Sequence, residues 1–182
     1  MRFCPTKIGD VIIVGSKSHT DQRGYFMESW NKRVFVQNNI DVDFVQDNLS
    51  SSSAGTLRGL HYQLSPHAQG KLVRVTRGRV FDVAVDIRRS SATFGQWVGL
   101  ELSEDNKLAL YIPPGFAHGF LVLSPKAEFS YKCTDFYAPS YERGIIWNDP
   151  VININWPLPQ NEVILSAKDQ ALPLLKDADL FD

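Results

Sequence analysis

Phe81-Asp82-Val83-Ala84-Val85-Asp86-Ile87-Arg88 sets apolar side chains at every second position, with Asp82, Ala84, Asp86 and Arg88 between them. A period of two belongs to a strand with two unlike faces, because successive Cβ atoms point to opposite sides. Phe129, Tyr131 and Cys133 alternate in the same way with Ser130, Lys132 and Thr134. Further strands are expected at Val11–Val14, Tyr25–Ser29, Phe44–Asn48, Thr56–Gln63, Leu72–Thr76, Trp97–Leu102, Leu108–Ile112 and Gly119–Leu123. Arg77-Gly78, Glu104-Asp105-Asn106 and Pro113-Pro114-Gly115 are turn signals between them. Helix signals are few. One short helix fits residues 31–39, and Ser166-x-x-Asp169 reads as a capped helix start near the C-terminus. Many short strands with regular turns predict an all-β sandwich or jelly roll, whose closed body can hold a ligand.

With 182 residues the chain is long enough for one sizeable core and short for two. No repeat or linker divides it, and Ser50–Ser53 is too brief a polar run to be one, so residues 1–182 are read as a single domain. Lys plus Arg number 19 against 20 for Asp plus Glu. That balance argues against nucleic-acid or anionic-membrane partners, while leaving room for one local basic pocket. No stripe of interleaved basic and aromatic residues suggests single-strand binding. The apolar runs are too short to span a bilayer, and Met1–Pro5 lacks the pattern of a secretory signal. Cys4 and Cys133 lie far apart with no Cys-x-x-Cys. Free thiols and a cytoplasmic location are therefore expected.

Two segments carry the chemistry. The first is Gly55-Thr-Leu-Arg58-Gly-Leu-His61-Tyr62-Gln63, followed by Gly70-Lys71 and Gly78. The second is Pro113-Pro114-Gly115-Phe116-Ala117-His118-Gly119. Together they resemble the two signature motifs of the cupin superfamily, which implies a double-stranded β-helix with a few short peripheral helices. In that pattern two histidines and a glutamate from the first motif and a histidine from the second bind a metal. Here His61 and His118 stand at two ligand positions, but Gln63 replaces the second histidine and Lys71 the glutamate. An ammonium has no lone pair to give, and its charge repels a divalent cation. Two imidazoles and a cation make a poor metal site, so no metal is expected. A base beside a lysine placed to meet oxyanion charge instead suits enolate chemistry.

The wider sequence resembles the dTDP-4-dehydrorhamnose 3,5-epimerase family from about Asp21 to Asp169. The likeness runs through Asp21-x-Arg23-Gly24-x-Phe26-x-Glu28, Gln46-Asp47-Asn48-Leu49-Ser50, Leu57–Gln63, Lys71–Val75 and Asp82–Asp86. It continues in Gly115–Phe120, Tyr131-Lys132-x-Thr134-Asp135-x-Tyr137, Ile146–Pro150 and Ser166-x-Lys168-Asp169. Each is weak alone; their order and spacing make them specific. The resemblance implies epimerisation of dTDP-4-dehydro-6-deoxy-D-glucose at C3 and C5, whose hydrogens the C4 ketone makes acidic, and no cofactor, since the substrate carries its own electron sink. It makes His61 the base, oriented by Asp169, Tyr131 the acid at C5, and Lys71 the enolate's partner. It assigns Arg23, Glu28, Gln46, Asn48, Arg58, His118, Glu142 and Lys168 to substrate binding and Tyr137 to stacking on thymine. It also implies a homodimer in which some ligand contacts cross the interface.

Each residue has a plainer role open to it. His61 could be a structural strand histidine, Tyr131 a core residue with Phe129 and Cys133, and Asp169 only a helix cap. Lys71 could be a solvated strand lysine, and His118 could simply hydrogen-bond a ligand group. His19 and His67 match nothing and read as loop residues, and the roles of Asp82 and Asp86 stay open. The competing functions are a single-site epimerase or ketoisomerase on a related dTDP-ketosugar, a metal-dependent cupin oxygenase, and a non-catalytic nucleotide-sugar-binding module.

Overall fold

The computed structural model describes the chain from Met1 to Asp182. Along it run β1 (Arg2–Pro5), β2 (Ile12–Gly15), β3 (Ser18–Asp21), β4 (Gly24–Met27), α1 (Lys32–Gln37), β5 (Gln46–Ser53) and β6 (Leu57–Gln63). There follow β7 (Lys71–Arg77), β8 (Arg79–Asp86), β9 (Trp97–Ser103), β10 (Leu108–Ile112), β11 (Phe116–Val122), β12 (Lys126–Cys133), β13 (Glu142–Gly144) and α2 (Ala167–Gln170). One antiparallel sheet has the order β1-β2-β10-β7-β12-β5 and the other β13-β6-β11-β8-β9. Neighbours in each sheet are mostly far apart in sequence, which is the jelly-roll connectivity of a cupin-type fold. The hairpin β3–β4 stands apart from both sheets.

The main core lies between the sheets. Val73, Val75, Leu110, Ile112 and Phe129 from the first pack against Val80, Ala84, Leu102, Phe116 and Phe120 from the second. The outer face of the second sheet is also covered. Leu60, Tyr62, Val83, Val85 and Ala117 pack there against Ile145, Ile152, Leu175 and Ala178 of the C-terminal third. Part of the first sheet's outer face is closed by Phe35 of α1. One core built from residues spread along the chain fits a single domain.

The strands expected from alternation are all present, with altered ends. Three differences have physical causes. The unlike faces of β8 are both interior, so Asp82 and Asp86 are completely buried among apolar neighbours. Asp86 is compensated by Arg88, Ser91 and Thr93, whose bonds outweigh the burial that would raise its carboxyl and hold it at about 2. The run Ser50–Ser53 is the outer half of β5, paired along its length with β12. Finally, β1, β3 and β13 carry no readable apolar alternation. His19 lies on exposed β3 and not in a loop, whereas His67 does sit in a loop. Both helices are shorter than their sequence signals: six residues begin after the Asn31 cap, and four after Ser166.

Candidate active site

A cleft opens between the sheets, made of two adjoining hollows of about 300 and 330 Å3. His61, Lys71 and Tyr131 line both hollows and mark where they meet. How the chain delivers these side chains follows from a local irregularity. On a regular strand Arg58 and His61, three residues apart, would point to opposite faces. Between them β6 and β11 change register: His118 faces His61, but Phe120 faces Arg58. Two residues of β6 thus oppose one of β11, a bulge that turns both Arg58 and His61 into the first hollow. Glycines allow it. A Cβ on Gly59 would lie 2.5 Å from the Gly119 Cα, and Gly59 has φ +126°.

His61 Nε2 lies 2.6 Å from Asp169 Oδ1. A carboxylate only accepts, so this ring nitrogen carries the proton and Nδ1 keeps its lone pair. Ser166 donates to the other Asp169 oxygen at 2.7 Å and accepts from the Asp169 N–H. Asp169 is therefore both the partner of His61 and part of the helix cap. Burial works to raise its carboxyl, but the bonds from His61, Ser166 and the Gly59 N–H outweigh this and leave it below the usual carboxylate range.

Lys71 and Tyr131 face this pair from the other sheet. Burial pushes the Lys71 ammonium down, against the pull of Cys133, Asp82 and Glu142. A more acidic ammonium is a better hydrogen-bond donor to developing negative charge. Its one protein bond, to the His61 carbonyl, is long at 3.4 Å, so donors remain free. Burial raises the Tyr131 phenol, which keeps its proton at neutral pH and can lend it. Arg58 is held by Ser52 Oγ at 3.0 Å. Behind it His118 donates through Nε2 to buried Asp82 at 2.9 Å and stacks on Phe129. The two imidazoles at cupin ligand positions are thus each turned toward a carboxylate of their own. No three of the chain's His, Cys, Asp and Glu side chains gather as metal ligands. With Lys71 beside them, this donor set does not fit a metal.

The second hollow contains Gln46, Asn48, Tyr137 and Glu142. Glu142 accepts from Tyr137 at 2.7 Å and pairs with Lys168 at 2.6 Å, linking it to the first hollow, which Lys168 lines. An imidazole, a phenol and an ammonium where the hollows meet, with an aromatic ring and amides in the second hollow, suit a ketosugar attached to a nucleotide.

The family model for dTDP-4-dehydrorhamnose 3,5-epimerase matches residues 5–177. The protein of that name from Shigella flexneri is 57% identical over 182 residues, covering 100% of this chain and 99% of the relative. The chain belongs to the dTDP-4-dehydrorhamnose 3,5-epimerase family. Among solved structures, the family's Legionella pneumophila epimerase, crystallised with dTDP-4-keto-L-rhamnose, superimposes with a TM-score of 0.94 at 51% identity. That match covers 98% of this chain and 94% of the other. A 3′-monoepimerase from Streptomyces bikiniensis, bound to dTDP-quinovose, gives 0.88 at 33% identity over 94% of this chain and 87% of that one.

Eleven of the thirteen residues that the family resemblance singled out line the cleft. Arg23 and Glu28 do not. Arg23 sits at the tip of the β3–β4 hairpin, bound to Asp21, and Glu28 bonds Asn31 on the surface. Four contributors escaped the sequence reading. Ser166 was legible only as a cap, Ser52 was hidden in a serine run, and Asp82 had no assigned partner. Gln63 was legible only as a lost metal ligand.

Proposed function

We propose that this epimerase inverts C3 and C5 of dTDP-4-dehydro-6-deoxy-D-glucose to give dTDP-4-dehydro-L-rhamnose, with His61 as the base. The observation that carries this reading is the His61–Asp169 pair, with its free Nδ1 in a cleft shared with Lys71 and Tyr131. Nδ1 removes the proton beside the C4 ketone, and the electron pair moves onto the carbonyl oxygen. Lys71 stabilises the resulting enolate. Tyr131 delivers a proton to the opposite face of C5 and the phenolate recovers one from solvent, while the His61 imidazolium releases its proton to solvent. At C3 the reset base removes the proton and solvent supplies one to the opposite face. Electrons return to carbon at each centre, so the step needs no redox partner. A positioned base contributes roughly 10²- to 10⁴-fold, and an oxyanion donor about 10²- to 10³-fold.

The nucleotide spans the cleft, with thymine on Tyr137 in the second hollow and Arg58 and Lys168 of the first hollow available to the diphosphate. A guanidinium suits this because its planar fork bonds two oxygens at once. Arg23 and Glu28, remote from the cleft of their own chain, reach the site of a second copy in a homodimer. The exposed Tyr25 and Phe26 on the same hairpin are apolar surface of the kind such a contact covers. No helix is long and apolar enough to cross a membrane; a cytoplasmic enzyme free of nucleic-acid and membrane partners accords with the near-neutral charge.

Turnover of the ketosugar in D2O tests the assignment: deuterium appears at both C3 and C5. The second reading, favoured by the likeness to a 3′-monoepimerase, is a single-site enzyme, for which label enters at one carbon only. No exchange at either carbon contradicts both.

A further inference from the structure

Gln63 occupies the position of a cupin metal ligand, is 3% exposed, and touches nothing that reacts. Its carboxamide is spent on the main chain. Nε2 donates to the Phe136 carbonyl at 3.2 Å, and Oε1 accepts from the Ala138 N–H at 2.8 Å. These groups flank Tyr137 on either side. The second Nε2 hydrogen goes to the His67 carbonyl at 2.7 Å, which ties in the loop after β6. Both amide hydrogens are therefore used.

Tyr137 needs such support. The residue is 53% exposed and so gains little from packing. Its hydroxyl bond to Glu142 at 2.7 Å holds one end of the ring. The other end depends on where the backbone of 136–138 lies, in a segment outside helix and strand. Side chains take over the backbone pairing there. Besides Gln63, Gln46 Oε1 accepts from the Tyr137 N–H at 2.9 Å, and Gln69 donates to the Asp135 carbonyl at 2.8 Å. An aromatic platform held before the ligand arrives costs less ordering entropy on binding.

We infer that Gln63 is a positioning residue of the nucleobase site, fixing the Tyr137 ring by gripping the main chain on both sides of it. This rests on the reading that Tyr137 stacks on the base. Only a side chain with donor and acceptor at one tip can serve a carbonyl and an N–H together. Glutamate lacks the donors, and leucine lacks both.

The test is a double-mutant cycle on the full chain, with dTDP affinity by calorimetry and KM and kcat with the ketosugar. Gln63→Leu is expected to raise the dTDP Kd and the KM about tenfold, with kcat within about twofold. In a Tyr137→Ala background the same change adds less than about twofold, because the ring it positions is gone. An unchanged Kd for Tyr137→Ala alone overturns the stacking reading. A weakened Tyr137→Ala with an unaffected or fully additive Gln63→Leu overturns the positioning role instead, and so does a fall in kcat without a change in KM. If Gln63→Leu does not fold, Gln63→Asn keeps the amide but shortens its reach. It is expected to show the same split, and wild-type affinity from it contradicts the inference.

Discussion

Two imidazole–carboxylate pairs sit side by side in the cleft, on residues that face each other across β6 and β11, and they differ in nearly every other respect. In the His61–Asp169 pair the ring is 27% exposed and the acid 5%; in the His118–Asp82 pair the values are 8% and 0%. Asp169 comes from a distant helix and has its second oxygen satisfied by Ser166. Asp82 comes from the neighbouring strand, and its Oδ1 has no partner in the chain. The accessible ring with a saturated carboxylate can exchange protons with a substrate and with water. The enclosed ring, hydrogen-bonded to Asp82 and stacked on Phe129, is a wall of the cleft that presents a fixed face. Under the proposed function, exposure and the state of the second oxygen suit the first pair to proton transfer and the second to support.

Removing the carboxylate charge from each pair sharpens the division. Asp169→Asn is expected to lower kcat on the order of 10²-fold or more, because the base loses a charged, acceptor-only partner and the amide can turn a donor toward the ring, favouring the wrong tautomer. Asp82→Asn is expected to act mainly through KM, with kcat down less than about tenfold. Steady-state kinetics on the two variants check this, and equal losses of kcat would erase the distinction between the pairs. A smaller effect concerns stability. The Asp169 carboxyl lies below its ordinary value in the folded chain, so its contribution is complete above the unfolded value of about 3.9 and is lost as pH falls through the folded one. Asp169→Asn should therefore flatten the loss of melting temperature below about pH 4, measured against wild type. An unchanged acid limb would mean that the bonds to Asp169 do not favour its ionised form.

How much of this is legible in the sequence depends on the range of the interaction. The strands of both sheets follow from alternation and turn residues, because a local period reports a local backbone. The short β1, β3 and β13 fail that test; β3 and β13, rich in polar residues, have no apolar face to read. Arg58 and His61 could not be placed on one face by any period-two rule, since a bulge at Gly59 intervenes. The roles of Tyr131 and Asp169 come from the family resemblance, whereas that of Lys71 follows already from its place in the cupin motif. Composition and spacing alone leave a core tyrosine and a helix cap open as plainer roles. Asp169 proved to be a cap and a partner at once, as a helix N-terminus allows when its acid also faces a cleft. Ser52 and Gln63 act through contacts made by folding that no motif records, and the Ser166 cap motif does not reveal that its acid also faces His61.

The central claim is that His61 removes the carbon-bound proton, and exchange at the substrate carbons in His61→Asn tests it most directly. Wild-type and variant proteins are incubated with the ketosugar in D2O, and label at C3 and C5 is followed by NMR, with dTDP affinity measured on the same samples. The account predicts that the variant binds dTDP within about twofold of wild type while exchange at both carbons falls roughly 10²- to 10⁴-fold. Exchange at wild-type rates in a variant that still binds dTDP would contradict it.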